Sequence, residues 1–268
     1  MSFLAAVIQL NSTSDEESKL ARAEALVESA ADRGARLVAT PENTNFLGPH
    51  EEKVRRAEPL DGAVCGRFSG LAQRLGIHLL LGSFNERAED SRYCYNTSVL
   101  FGPGGERVAA YRKIHLFDVD VPKVRFCESR TVLAGTDVVV GEAVLARIGM
   151  SICYDLRFAE LYRELRRRGA EVLCVPSAFT STTGKDHWET LIRARAIENQ
   201  CYVLAPAQWG RHDAECLRES WGHAMIVGPW GDVVAVASDG CGIALAEIDL
   251  GRVHSLRESM PVESHRRL

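Results

Sequence analysis

Three side chains with complementary chemistry stand at the ends of apolar runs in this sequence. They are Glu42 in Thr40-Pro41-Glu42-Asn43, Lys113 in Tyr111-Arg112-Lys113-Ile114-His115, and Cys153 in Ser151-Ile152-Cys153-Tyr154-Asp155. A carboxylate, an ammonium and a thiol delivered to one face of a sheet are the parts needed to attack a carboxamide. The thiol is the nucleophile, the carboxylate takes its proton and later activates water, and the ammonium steadies the tetrahedral oxyanion. The pattern points to thiol amidohydrolase chemistry.

Each residue also has an ordinary reading. Cys153 sits between a strand-like run and a helix expected to open at Leu156 with Asp155 as its N-cap. A thiol there lies near the positive end of a helix dipole, which favours thiolate, and the turn aims the Tyr154 N–H at a forming oxyanion. The alternative is a buried structural cysteine. Pro41 stiffens the chain leading into Glu42, which otherwise reads as a solvated glutamate. Lys113 shares a strand face with Tyr111 and His115. Burying its ammonium requires a partner such as Glu42; the alternative is an exposed edge-strand lysine. Glu128, in Arg125-Phe126-Cys127-Glu128-Ser129, is a second carboxylate able to orient Lys113.

These residues need a sheet with helices on its outside. Residues 4–10 read as a buried strand. Ser14 and Glu17 form a capping box before a helix with Leu20, Ala23 and Val27 on one face and Gly34 at C′. Residues 36–39 are a strand, 64–75 a helix, and 79–81 a strand. Residues 94–101 and 106–114 flank Gly102-Pro103-Gly104-Gly105, a hairpin signal. Strands at 138–140 and 144–152 follow, then a helix over 156–168 closed by Gly169. Its Arg166-Arg167-Arg168 run complements a helix C-terminus. A strand at 172–175, a helix over 187–199, and strands at 202–205, 224–227, 233–237 and 243–248 complete the series. The polar tail from Gly251 either wraps a partner or lies loose. Strand–helix–strand units mixed with hairpins favour a mixed sheet covered by helices.

The two halves echo one another. Arg33-Gly34-Ala35-Arg36-Leu37-Val38-Ala39-Thr40-Pro41 resembles Arg168-Gly169-Ala170-Glu171-Val172-Leu173-Cys174-Val175-Pro176. Val99 to Glu106, with its Gly-Pro turn, resembles Ile226 to Asp232 with one residue deleted. The expected architecture is a β sandwich with helices outside both sheets, although shared turn chemistry alone produces such echoes.

Composition narrows the partners. At 268 residues, 46% of them hydrophobic, the chain can bury a large core without staples. A formal net charge of −4 carries no nucleic-acid footprint. No run approaches the roughly 18 apolar residues of a membrane span. The eight cysteines are irregularly spaced, and no secretory signal is expected, so a reducing cytoplasmic compartment is. His212, Cys216 and His223 lack the paired spacing of a metal site and read as loop residues. There is no phosphate loop, no G-x-S-x-G and no C-x-x-C redox pair.

Taken together, the three motifs resemble the nitrilase or carbon–nitrogen hydrolase superfamily with its Glu-Lys-Cys triad, from Phe3 to about Asp249. Within it the Nit subgroup is most similar. That likeness rests on Lys113-Ile114-His115-Leu116-Phe117-Asp118-Val119-Asp120-Val121-Pro122, on Cys153-Tyr154-Asp155-Leu156-Arg157-Phe158, and on Pro176-Ser177-Ala178-Phe179. His187-Trp188-Glu189, Arg193 to Val203, Gln208-Trp209-Gly210-Arg211-His212 and the closing Pro261-Val262 to His265-Arg266-Arg267 extend it.

The resemblance implies a four-layer αββα sandwich over residues 1–250, with 251–268 a tail at an oligomer interface. It implies Glu42, Lys113, Cys153 and Glu128 as catalytic groups, and Lys113 and Tyr154 as the oxyanion hole. Arg157 meets a substrate carboxylate, and Phe179, Thr180 and Thr183 complete the substrate site. The alternative for Arg157 is a salt bridge with Glu160 or Glu164. The implied reaction splits the amide of deaminated glutathione to 2-oxoglutarate and cysteinylglycine, without a metal or cofactor. The neighbouring possibility is an ω-amidase acting on 2-oxoglutaramate, and a rival of another class is a non-catalytic scaffold on the same fold. A homodimer or higher homo-oligomer is implied, with the helix after Cys153 at the dimer interface. Two departures from the subgroup, Ala159 for a proline and Lys123 for a glycine, flank the triad.

Overall fold

The structure, a computed structural model, describes residues 1–121, 124–213 and 218–267. In chain order the strands are β1 (Ser2–Leu10), β2 (Leu37–Ala39), β3 (His78–Arg87), β4 (Cys94–Phe101), β5 (Arg107–Arg112), β6 (Asp118–Val121), β7 (Val124–Cys127), β8 (Val132–Leu133) and β9 (Val140–Glu142). They continue with β10 (Arg147–Met150), β11 (Val172–Cys174), β12 (Tyr202–Ala205), β13 (Ala207–Arg211), β14 (Glu219–Trp221), β15 (Met225–Val227), β16 (Val233–Val236) and β17 (Gly242–Asp249). The helices are α1 (Glu16–Asp32), α2 (His50–Arg55), α3 (Ala63–Leu75), α4 (Ala159–Arg167), α5 (Ser181–Asn199) and α6 (Leu250–Ser259).

One sheet runs β14-β13-β1-β2-β3-β4-β5, with β17 also on β1 and β8 on β4; the other runs β16-β15-β12-β11-β10-β9. Alternation along each strand of the first sheet sorts its side chains into two layers. Ala5, Val7, Leu37, Ala39, Leu80 and Leu100 point to the second sheet and join one core with Ile148, Met150 and Val172. Ala6, Ile8, Val38, Leu79, Leu81 and Val99 point outward and pack on Leu20, Ala23 and Val27 of α1 and Phe68 and Leu71 of α3. On the far side α4 and α5 cover the second sheet through Leu161, Leu165, Trp188 and Ile192. The result is the four-layer αββα sandwich.

The internal echo is a repeat in space. β2 lies parallel between β1 and β3, and β11 lies parallel between β10 and β12. Gly34 and Gly169 end their helices at φ +91° and +92°, a conformation that suits glycine. The two hairpin turns share their bonds. Gly102 N–H donates to Glu106 O at 2.9 Å and Gly228 N–H to Asp232 O at 2.8 Å, while Gly105 and Gly231 each donate to the first glycine of their turn at 2.9 Å.

Several local expectations differ. The N-cap of α1 is Asp15, which accepts from Ser18 N–H at 3.4 Å, rather than Ser14. After Cys153 comes a 3-10 turn, Cys153–Arg157, and α4 begins only at Ala159. Glu164 pairs with Arg167 and Arg168 of the basic run. The tail does not lie loose: Asp249 caps α6 by accepting from Gly251 N–H at 2.8 Å, Val253 is buried, and Arg257 donates to Ala170 O at 2.7 Å. Pro122, Lys123 and Cys216 lie outside the described residues.

Candidate active site

Glu42, Lys113 and Cys153 come from three strand exits. Glu42 follows β2 through Pro41, Lys113 follows β5 directly, and Cys153 lies three residues beyond β10. The Glu42 turn is clamped from several sides. Asn43 takes a left-handed φ of +56° and donates its N–H to Ser83 Oγ at 2.8 Å, and Gln208 Nε2 donates to Glu42 O at 2.9 Å. A Cβ on Gly82 would collide with the carbonyl oxygens of Thr40 and Pro41, so only glycine lets β3 approach this turn.

The sequence-predicted group meets. Lys113 Nζ lies 2.9 Å from Glu42 Oε1 and 2.8 Å from Glu128 Oε2, with all three side chains buried. Asn96 Nδ2 donates to Glu42 Oε1 at 2.8 Å and to Glu128 Oε1 at 3.3 Å. Ala178 N–H donates to Glu42 Oε2 and Phe117 N–H to Glu128 Oε2, each at 2.8 Å. Burial on its own would strip the proton from Lys113, but Glu128, then Glu42 and Cys153, hold its affinity well above the ordinary value. Burial likewise opposes charge on Glu128, yet Lys113 and Lys53 keep its carboxyl below the usual range. Lys113 and Glu128 are therefore ionised, and the third N–H of Lys113 is left for another acceptor.

Cys153 is held at φ +48°, an uncommon conformation for a side-chain-bearing residue, and its N–H donates to Pro176 O at 3.0 Å. The expected low thiol affinity is not what this environment produces. Burial pushes the thiol well above its ordinary value, Glu42 adds to the push through its charge and a hydrogen bond, and Lys113 and Ala178 N–H oppose it. One 3-10 turn supplies too little dipole to overcome a buried carboxylate. At rest the group is a neutral thiol. No hydrogen bond engages the Tyr154 N–H within the described residues, so that donor is open.

Asp155 does not cap α4. Its Oδ2 accepts from Ile152 N–H at 2.8 Å and Tyr111 Oη–H at 2.6 Å, and its Oδ1 accepts from His115 N–H at 3.0 Å. Tyr111 and His115 thus lock the nucleophile turn, while Lys113, just past the end of β5, goes to the carboxylates. Arg157 stands beside the nucleophile, its guanidinium 5.8 Å from the Tyr154 ring centre and 5.0 Å from that of Phe179. Its Nη1 lies 3.3 Å from His187 Nδ1, and no ion pair joins it to Glu160 or Glu164 among the described residues. Thr180 and Thr183 bond each other at 3.0 Å at the start of α5, and among the described residues no hydrogen bond joins either to the side chain of Glu42, Lys113 or Cys153. His212 bonds Ser12 O and Ser220 Oγ, each at 2.8 Å, and His223 stacks on Trp221.

Sequence reasoning missed Asn96, Ala178, Phe117 and the locking role of Asp155. Asn96 carried a signal, because an amide inside a strand is disfavoured unless something needs it. The two backbone donors carried none.

A buried carboxylate and an ammonium that both act on a neutral thiol, with an open N–H at the elbow, suit acyl transfer from an amide. The chain belongs to the carbon–nitrogen hydrolase family, whose model matches residues 4–258. It is 45% identical over 268 residues to the deaminated glutathione amidase of Synechocystis sp., with 98% of each chain covered. The crystal structure of the C. elegans NitFhit protein matches with a TM-score of 0.93 at 42% identity, over 99% of this chain and 65% of that one. Saccharomyces cerevisiae Nit3, a member of branch 10 of the nitrilase superfamily, matches with a TM-score of 0.89 at 31% identity, over 100% and 97% of the two chains. Among the described residues no helix is long and apolar enough to cross a membrane.

Proposed function

We propose that this chain hydrolyses the amide of deaminated glutathione to 2-oxoglutarate and cysteinylglycine through a Cys153 thioester. The observation that carries the chemistry is the Glu42–Lys113–Glu128 network set against the Cys153 thiol. The choice of amide rests on the 45% identity, along nearly the whole chain, to a protein named for that activity.

In this reading the Cys153 thiol passes its proton to Glu42 as sulfur attacks the amide carbon. The third N–H of Lys113 and the Tyr154 N–H receive the oxyanion. Collapse expels the amine of cysteinylglycine, which takes the proton from Glu42, and leaves the thioester. Water then gives a proton to Glu42 and attacks. The second collapse releases 2-oxoglutarate, and the thiolate recovers its proton. Glu128 is a positioning residue for Lys113. Arg157 pairs with a substrate carboxylate, bidentate geometry being its strength, and Phe179, Thr180 and Thr183 border the departing amine.

No metal, organic cofactor, nucleic acid or membrane enters the scheme. A cytoplasmic homodimer belongs to the same reading, with α4 and residues 251–268 at its interface. The unpaired state of all seven cysteines among the described residues suits a reducing compartment. Light scattering at micromolar concentration should give twice the 29.5 kDa chain mass, and a monomer would count against it.

The test is release of 2-oxoglutarate from deaminated glutathione and, separately, from 2-oxoglutaramate, with Cys153→Ala as control. Faster release from the first substrate supports the reading, and preference for the second makes the chain an ω-amidase. Release from neither, together with no cysteine of unusual reactivity, leaves a non-catalytic scaffold.

A further inference from the structure

Lys53 is 4% exposed on the short helix α2, and among the described residues its ammonium has no hydrogen bond or ion pair. A buried, unpartnered ammonium is costly, so its retention calls for an anion that is present only some of the time. The charged and titratable groups that act on it are Glu128, Arg218, Glu42 and Cys94. Burial works against its charge and Arg218 adds to this, while both carboxylates favour it. His50, one helical turn away, is pushed down to about 4 by burial and then by Lys53 and Arg218, so it is neutral at pH 7 and offers no countercharge.

Arg218 completes the setting. Its Nη1 donates to Gly48 O, and its guanidinium sits 5.3 Å from the Phe126 ring centre. From Phe126 an aromatic wall continues to Phe117 at 5.7 Å and to Tyr154 at 5.0 Å, next to the nucleophile. Among the described residues the carboxylates that act on Lys53 are Glu128 and Glu42, and both already bond Lys113. Asp213, exposed to water, accepts the Arg218 N–H at 3.1 Å and favours the charge on its guanidinium.

We propose that Lys53 and Arg218 form an anion subsite at the far end of this wall, which takes one carboxylate of the substrate. The proposal rests on the amidase reading above. Deaminated glutathione carries one carboxylate on each side of the scissile amide. Arg157 lies at the Tyr154 end of this wall and Arg218 at its Phe126 end, where α2 of Lys53 also arrives through His50, whose ring centre is 4.8 Å from that of Phe126, so two separate cationic ends match a substrate charged at both ends.

The experiment reads protection of Cys153 from alkylation by iodoacetamide, which needs no turnover and so stands apart from the amidase assay. Glutarate mimics the acyl half, N-acetylalanylglycine the leaving half, and 1,5-pentanediol is the uncharged control. In Lys53→Met and in Arg218→Met, the half-protecting concentration of one anion should rise about tenfold, the worth of one charge-assisted hydrogen bond. Lys53→Arg should keep it, and pentanediol should not change. The anion affected identifies the carboxylate bound. Unchanged protection by both anions overturns the proposal, and so does an equal loss of pentanediol protection, which would mark a purely structural role. If protection behaves as expected but neither amide is hydrolysed, the subsite stands and the substrate assignment falls.

Discussion

The Ala178 N–H reaches Glu42 Oε2 at 2.8 Å across 136 residues of chain, joining the loop after β11 to the carboxylate just beyond β2. Two residues earlier the same loop accepts the Cys153 N–H at Pro176 O. Glu42 and Cys153, which follow strands of different sheets, are thus keyed to one short segment. Their relative position depends on the sandwich closing.

Glu42→Gln should lower kcat/KM by about a thousandfold, the scale of losing a general base that acts in both half-reactions. The same change removes the charge that pushes the thiol up while Lys113 remains. Alkylation of Cys153 by iodoacetamide should therefore reach its plateau at lower pH than in the unaltered protein. A later plateau would show that Glu42 does not set the thiol's proton affinity.

Lys113→Met leaves Glu42 and Glu128 buried without the cation that bonds them both. Breaking a buried pair in this way costs about 3–5 kcal/mol, read as a lower urea midpoint with an unchanged slope. Adding Glu128→Gln should recover part of the loss, because the two changes remove one interaction. Strict additivity would mean that the pair is uncoupled.

Arg157→Lys should raise KM for an acidic amide about tenfold and change kcat far less, since a point charge replaces a planar fork. An unchanged KM would return Arg157 to a surface role.

Stability should fall as the solution is acidified below neutrality. Burial pushes His212 from 6.5 down to about 4, and its ring is held by Ser12 O and Ser220 Oγ. Between those values the unfolded chain binds the proton and the folded chain does not, so the contribution is complete above 6.5 and is lost on the way to 4. From pH 7 to pH 5 the loss is about 2 kcal/mol, measured by urea unfolding at the two values. His212→Asn should flatten the slope; an equally steep slope would assign it to other groups.

Much of the fold was legible because it is local. The buried face of α1 at Leu20, Ala23 and Val27, the C′ glycines Gly34 and Gly169, and the two Gly-Pro turns each follow from periodicity or backbone sterics within a few residues. The cap of α1 and the start of α4 were less legible, since Ser14 and Asp15 compete for one position, and since Asp155 has distant partners in Tyr111 and His115 that outweigh its local role as a cap.

The sequence by itself determined which reactive side chains leave which strands, and that a carboxylate, an ammonium and a thiol were available together. Only the tertiary structure decided their states. Glu42 and Lys113 are 71 residues apart in the chain and 2.9 Å apart in space, and the thiol is neutral because burial and a neighbouring carboxylate outweigh an ammonium and a short helical turn. Motifs are read along the chain, whereas Coulomb energies and desolvation depend on distance and burial in three dimensions. Lys53 shows the same division, for it stands in no motif, and the carboxylates that favour its charge, Glu128 and Glu42, come to it only through the fold.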